Sequence, residues 1–122
     1  MSSSLPPDLN VAPSLPLSEE LRAAYEKLYD TIEAAIEDTT DLAALEALNA
    51  VLPQVDDILI KDRMYRLHAN TALFTGLLQQ INDTNVQLKE LQGQVASIAS
   101  RFSDAADVID AITRVFSLLP AL

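Results

Sequence analysis

Residues 67–119, LHANTALFTGLLQQINDTNVQLKELQGQVASIASRFSDAADVIDAITRVFSLL, decide the fold. Steps of seven from Leu67 reach Phe74, Ile81, Leu88, Val95, Phe102, Ile109 and Phe116, all of them large and apolar. The same steps from Asn70 reach Leu77, Thr84, Leu91, Ile98, Ala105, Ile112 and Leu119. The two series interleave at alternating gaps of three and four, giving a heptad seam of eight repeats in which only Asn70 and Thr84 are polar. Helix packed against helix follows from that spacing, but no chemistry does.

Composition points the same way. The 122 residues hold 49% hydrophobic side chains and only two glycines, which suits one helical domain and not a β-fold with a turn every ten residues. An all-α architecture is therefore expected, either an antiparallel bundle or a long coiled-coil-like hairpin, with three main helices. The net charge of −10, from 18 acidic and eight basic residues, disfavours phosphate backbones and anionic headgroups, so no nucleic-acid partner is expected. The absence of cysteine removes thiol nucleophiles, disulfides and Cys-ligated metals. The first residues show neither a basic nor an apolar signal region, and no run of about 20 apolar residues could span a bilayer, so the cytoplasm is the expected compartment.

Residues 1–17 carry Pro6, Pro7, Pro13 and Pro16 among serines, which predicts an extended or disordered tail ahead of one helical domain over 18–122. Leu5, Leu9, Val11, Leu15 and Leu17 give that tail apolar material with which to strap onto a groove of the bundle or of a neighbour. The first helix should start after an N-cap at Ser18, with Glu19 and Glu20 in the turn where the helix dipole favours carboxylates, and run to about Asp38. Leu21, Tyr25, Leu28, Ile32 and Ala35 form its buried stripe. Thr39-Thr40-Asp41 reads as a tight connection that caps a second helix, kinked or restarted at Pro53.

Beyond Pro53 two arrangements compete. One helix could run from residue 54 to 119, since the seam keeps its phase throughout. Alternatively the chain turns at Asn82-Asp83-Thr84-Asn85, four poor helix formers in a row, and Thr84 to Gln87 matches a capping box. The hairpin is the favoured reading, because the apolar stripe narrows near 82–85 and broadens away from it. A further break at Phe102-Ser103-Asp104 is disfavoured, since no turn former precedes it.

Catalytic constellations are missing. His68 is the only histidine and has no Glu three residues before it, which excludes a paired-histidine zinc site and a di-metal carboxylate bundle. Gly76 and Gly93 stand alone in helical patterns, so no phosphate loop exists. Asp104, Asp107 and Asp110 fall on the side away from the seam and read as a solvated acidic face. No catalytic residue, metal ligand or cofactor site is assigned.

Two contact surfaces remain. The stretch Lys61-Asp62-Arg63-Met64-Tyr65-Arg66 concentrates three of the eight basic residues in an acidic chain. Arg63, Tyr65 and Arg66 are therefore the candidate partner-binding residues, against the plainer reading in which they clamp the acidic face of the first helix. Asn70, Phe74, Leu77, Ile81, Leu88 and Leu91 form a candidate oligomer seam, with Asn70 able to fix register. The expected function is that of a non-enzymatic helical interaction or assembly protein that binds another protein and self-associates as a homo-oligomer. The alternatives are a membrane-active, pore-forming type of amphipathic hairpin inserting through Ala69–Leu78, and an enzyme of unrecognised type.

Overall fold

The structure is a computed structural model that describes residues 17–119. The Pro-rich segment of residues 1–16, on which the extended-tail expectation falls, lies outside the described residues. Among the described residues there are four helices, one more than the sequence reading gave: α1 (Glu19–Asp38), α2 (Leu42–Leu67), α3 (Thr71–Ser97) and α4 (Ala105–Leu118), with a 3₁₀ turn at Ala99–Arg101.

Capping explains where the first three begin. The Ser18 hydroxyl accepts from the Leu21 N–H at 3.0 Å, and an Asp41 carboxylate oxygen accepts from the Ala44 N–H at 3.0 Å. The Asn70 side chain does the same for the Leu73 N–H at 2.9 Å. Each bond satisfies one of the donors that a helix start leaves unpaired. Short connections then force neighbouring helices to run antiparallel. α1 packs on α2 and α4, and α3 packs on the same two, which closes a four-membered ring around one core. α2 stays helical on both sides of Pro53, and because Asn49 is exposed, the carbonyl that loses its bond to the missing Pro53 N–H can turn to water.

Both arrangements considered for residues 54–119 are overturned. α3 runs without interruption through Asn82–Asn85, and the chain reverses instead at His68–Asn70. Tertiary contacts override the weak propensities at 82–85: Thr84 is fully buried and takes a 3.0 Å bond from Gln80, while Asn85 accepts from the Tyr25 hydroxyl at 3.0 Å. The disfavoured break near Phe102 is present, between Ile98 and Asp104. The seam keeps its phase across it because Ile98 and Phe102 still insert into the core from the connection. Arg101 reaches from this connection to Asp41 at 2.6 Å and ties together the end of the bundle where α2 and α4 begin.

No helix among the described residues is long and apolar enough to cross a membrane. Ala69–Leu78, proposed above as an inserting stretch, comprises part of the reversal and the first two turns of α3.

Candidate functional site

The last three turns of α2 hold the arrangement that departs furthest from an ordinary amphipathic helix. Val55, Ile58, Leu59, Asp62 and Tyr65 point into the bundle, at the spacing of one helix face. A carboxylate is thus carried inward, and Asp62 is 0% exposed. Its Oδ2 accepts hydrogen bonds from Arg22 Nη1 of α1 and from Arg66 Nε one turn further along α2, the latter at 2.8 Å. Arg66 uses a second nitrogen to hold the Leu17 carbonyl at 3.0 Å, and Leu17 itself is fully buried. Asp62 Oδ1 is buried without a hydrogen-bond partner among the described residues. Beside this network the rings of Tyr65 and Phe74 meet at 5.6 Å and 54°, which packs the last turn of α2 onto the first of α3.

The outward face of the same turns is apolar. Ile60, Met64 and Leu67 are 38%, 45% and 71% exposed and lie at i, i+4 and i+7, so they form one stripe. Arg63 lies along its edge, exposed and with no ion pair among the described residues. α2 here turns a carboxylate inward and a stripe of aliphatic side chains outward.

The residues singled out from sequence are dispersed by this geometry. Of Arg63, Tyr65 and Arg66, only Arg63 faces outward without a partner; Tyr65 is buried and Arg66 is engaged with Asp62 and Leu17. The clamp that competed with the partner reading, cations of α2 held on the acidic face of α1, is not seen among the described residues; the ion pair between these helices has the opposite polarity, with α1 supplying Arg22 and α2 the carboxylate of Asp62. Among the seam residues, Leu77, Ile81, Leu88 and Leu91 are buried in the chain's own core and Phe74 is partly buried. Asn70 is exposed and caps α3, so it takes no seam position. Sequence reasoning missed Asp62, Arg22 and the stripe of Ile60, Met64 and Leu67. The stripe had a signal in its spacing, whereas the pairing of Arg22 with Asp62, 40 residues apart, had none.

Two grooves lie elsewhere on the surface of the described residues. One, of about 520 Å³, runs between α1 and α4 over Ala34, Ala35 and Ala111 and is edged by Asp30, Asp104, Asp107, Asp110, Lys27 and Arg114. At its end, desolvation and the facing Asp38 raise the Asp104 carboxyl above its ordinary value. The other, of about 350 Å³, lies between α2 and α3 over Ala43, Ala47 and Ala50. Among the described residues no group of three or more His, Asp or Glu side chains is placed to hold a metal ion. Burial pushes the Tyr25 hydroxyl far up, which makes it a structural donor to Asn85. The chain matches no family model, no curated protein and no solved structure.

Proposed function

We propose that this chain is a non-enzymatic helical interaction module that binds another protein through the outward face of α2, with Ile60, Met64 and Leu67 as the apolar contact and Arg63 as its charged edge. The observation that carries the reading is the stripe itself: three exposed aliphatic side chains in register, on a helix whose only buried charge faces the other way. Apolar side chains with an arginine beside them are the composition of interface centres, and the complementary partner presents an apolar ridge or pocket bordered by a carboxylate. The Asp62 network and the Tyr65–Phe74 contact hold this end of α2 in place, so little ordering has to accompany binding. Self-association has no support beyond this same face, since the seam that argued for it is filled from within the chain.

A photo-crosslinking residue at position 64, introduced in cells that natively contain the protein, tests the reading. It should yield an adduct with a distinct second protein, and R63E/L67D should remove that adduct while the purified variant keeps its thermal midpoint, because both positions are exposed and surface substitutions stay within about 0.5 kcal/mol. Adducts that arise from position 106 on α4 but not from position 64 would place the contact elsewhere and reject the proposal.

A further inference from the structure

We propose that the outward face of α2 docks against the same face of a second copy of this chain, antiparallel and centred on Ile60, with Arg63 of each chain paired to Asp56 of the other. This pairing rests on the reading of that face as a docking surface, and it gives the face an occupant that any distinct partner must displace.

The unpaired charges point to a second copy. Asp57 and Lys61 lie on the edge of the stripe that faces α3, where they pair with each other at 3.3 Å and Lys61 also reaches Gln80 of α3 at 3.5 Å. On the opposite edge Asp56 and Arg63 stand seven residues apart, two turns along one line of the helix, and neither has an ion pair among the described residues. Ile60 lies between them. The complement this edge calls for is a helix that carries an anion against Arg63, a cation against Asp56 and an aliphatic side chain between the two. α2 itself presents that set. The apolar line is self-matching as well, since Pro53 and Leu67, both exposed, lie seven residues before and after Ile60.

Symmetry then selects the arrangement. In a self-complementary pair of antiparallel helices, the two-fold axis keeps each edge against the same edge of the other copy. With that axis at Ile60, Leu67 lies over Pro53 of the second copy, and Arg63 comes within one residue rise, ~1.5 Å, of the level of Asp56. Both unpaired charges are thus used, once in each half of the contact. A parallel pair would bring opposite edges together, setting Asp56 beside the second copy's Asp57 and Arg63 beside its Lys61, and like charges so placed disfavour that pairing. Moving the antiparallel axis one turn to Met64 would set Arg63 beside its own counterpart. The contact covers a few turns of one helix, well short of the about 20–30 residues a side of a standard interface, so the dimer is weak and exchanges.

The test uses the full chain and its charge-reversed variants. In sedimentation equilibrium the parent should be a mixture of monomer and dimer at about 100 μM, as a contact of this size allows. Arg63→Asp and Asp56→Arg should each weaken the dimer about tenfold or more, because each sets two like-charged pairs across the axis, while the thermal midpoint of the dilute monomer is kept. Mixing these two variants should restore association to the parental strength, since each aspartate at 63 or 56 then meets an arginine. The chain has no cysteine, so Ile60→Cys should cross-link to its counterpart on oxidation, whereas Met64→Cys, ~12 Å from its counterpart along the helices, should not. A parent that stays monomeric at about 1 mM overturns the proposal, that being the weakest association worth the name. So does a dimer unchanged in both charge variants, a mixture no stronger than its components, or cross-linking through position 64 and not 60. The two readings of the face fail separately: a dimer of this register without any adduct to a second protein at position 64 in cells rejects the distinct partner alone, and such an adduct from a chain that is monomeric when purified rejects the second copy alone.

Discussion

α2 and α4 begin alike and end differently. Each starts at an aspartate, Asp41 or Asp104, on the same end of the bundle. Asp41 is fully used: it caps α2 through the Ala44 N–H and pairs with Arg101, and these donors hold its carboxyl below the ordinary value, the Ala44 bond foremost. Asp104 makes no side-chain capping bond and faces Asp38. Along their lengths the contrast inverts. α4 is conventionally amphipathic, with Val108, Ile112 and Val115 inside and Asp107, Asp110 and Arg114 outside. α2 ends with a carboxylate inside and aliphatic side chains outside. A helix that only had to complete a core would follow the pattern of α4. The departure in α2 marks the region where packing alone does not account for the sequence, and substitutions that separate the two patterns test that distinction.

The largest effect should come from Arg22→Ala. It leaves Asp62, which is fully buried, with Arg66 as its remaining partner, and breaking a buried pair from one side costs ~3–5 kcal/mol. Because Arg66 stays in place, a loss of about 3 kcal/mol, the low end of that range, is expected in urea unfolding. Asp62→Asn in the same background should restore part of it, since the buried charge left with a single partner is then gone. A loss below about 1 kcal/mol would mean that the pair behaves like a surface ion pair, and the contrast between α2 and α4 would lose its energetic basis.

An uncharged buried contact lies between the two extremes. Asn85→Ala removes the acceptor of the buried Tyr25 hydroxyl, at a cost of about 1–3 kcal/mol, against a gain of up to ~0.7 kcal/mol from helix propensity. A net loss of about 1–2 kcal/mol is expected from these two terms. Tyr25→Phe should be milder, because Asn85 is partly exposed and can turn to water. If Asn85→Ala instead stabilised the protein, propensity would dominate at 82–85 and the account of why α3 passes through them would fail.

This contact also shows what could be read from the sequence. The start and end of α1, the caps at Ser18 and Asp41, and the helical class were legible, because they depend on residues within four positions of one another. The reversals and breaks after Pro53 were not. Asn82–Asn85 looked like a turn from propensity, yet two of its side chains are satisfied by Gln80 and Tyr25, and the Tyr25 partner lies 60 residues away. Asn70 looked like a seam residue because the heptad count passes through it, whereas the same side chain is also a good cap. The break between Ile98 and Asp104 hid because its apolar residues keep the period while leaving the helix. At the candidate surface the sequence singled out the last turns of α2 but not their rotation. Deciding whether Arg63 or Arg66 faces outward required the position of Arg22.

The smallest effect belongs to α4, and its sign depends on pH. A carboxyl whose value is raised in the folded state, first by desolvation and then by Asp38, binds its proton more tightly folded than unfolded. Its contribution is therefore fully present below the ordinary value near 3.8 and is lost as pH rises through the raised one, leaving like charges facing each other at neutrality. Asp104→Asn removes that repulsion and keeps a side chain suited to a helix start. It should raise the thermal midpoint slightly at pH 7 and leave it unchanged at pH 3. Asp41→Asn should do the opposite. The Asp41 carboxyl is held low, so its contribution is present above the ordinary value and fades as pH falls through the lowered one. Midpoints of the two variants, measured against the parent from pH 3 to 7, should diverge with rising pH, up for Asp104→Asn and down for Asp41→Asn. Parallel curves would show that the two helix starts are electrostatically equivalent, and the asymmetry between α2 and α4 would then be confined to the far end of α2, where Asp62 is buried.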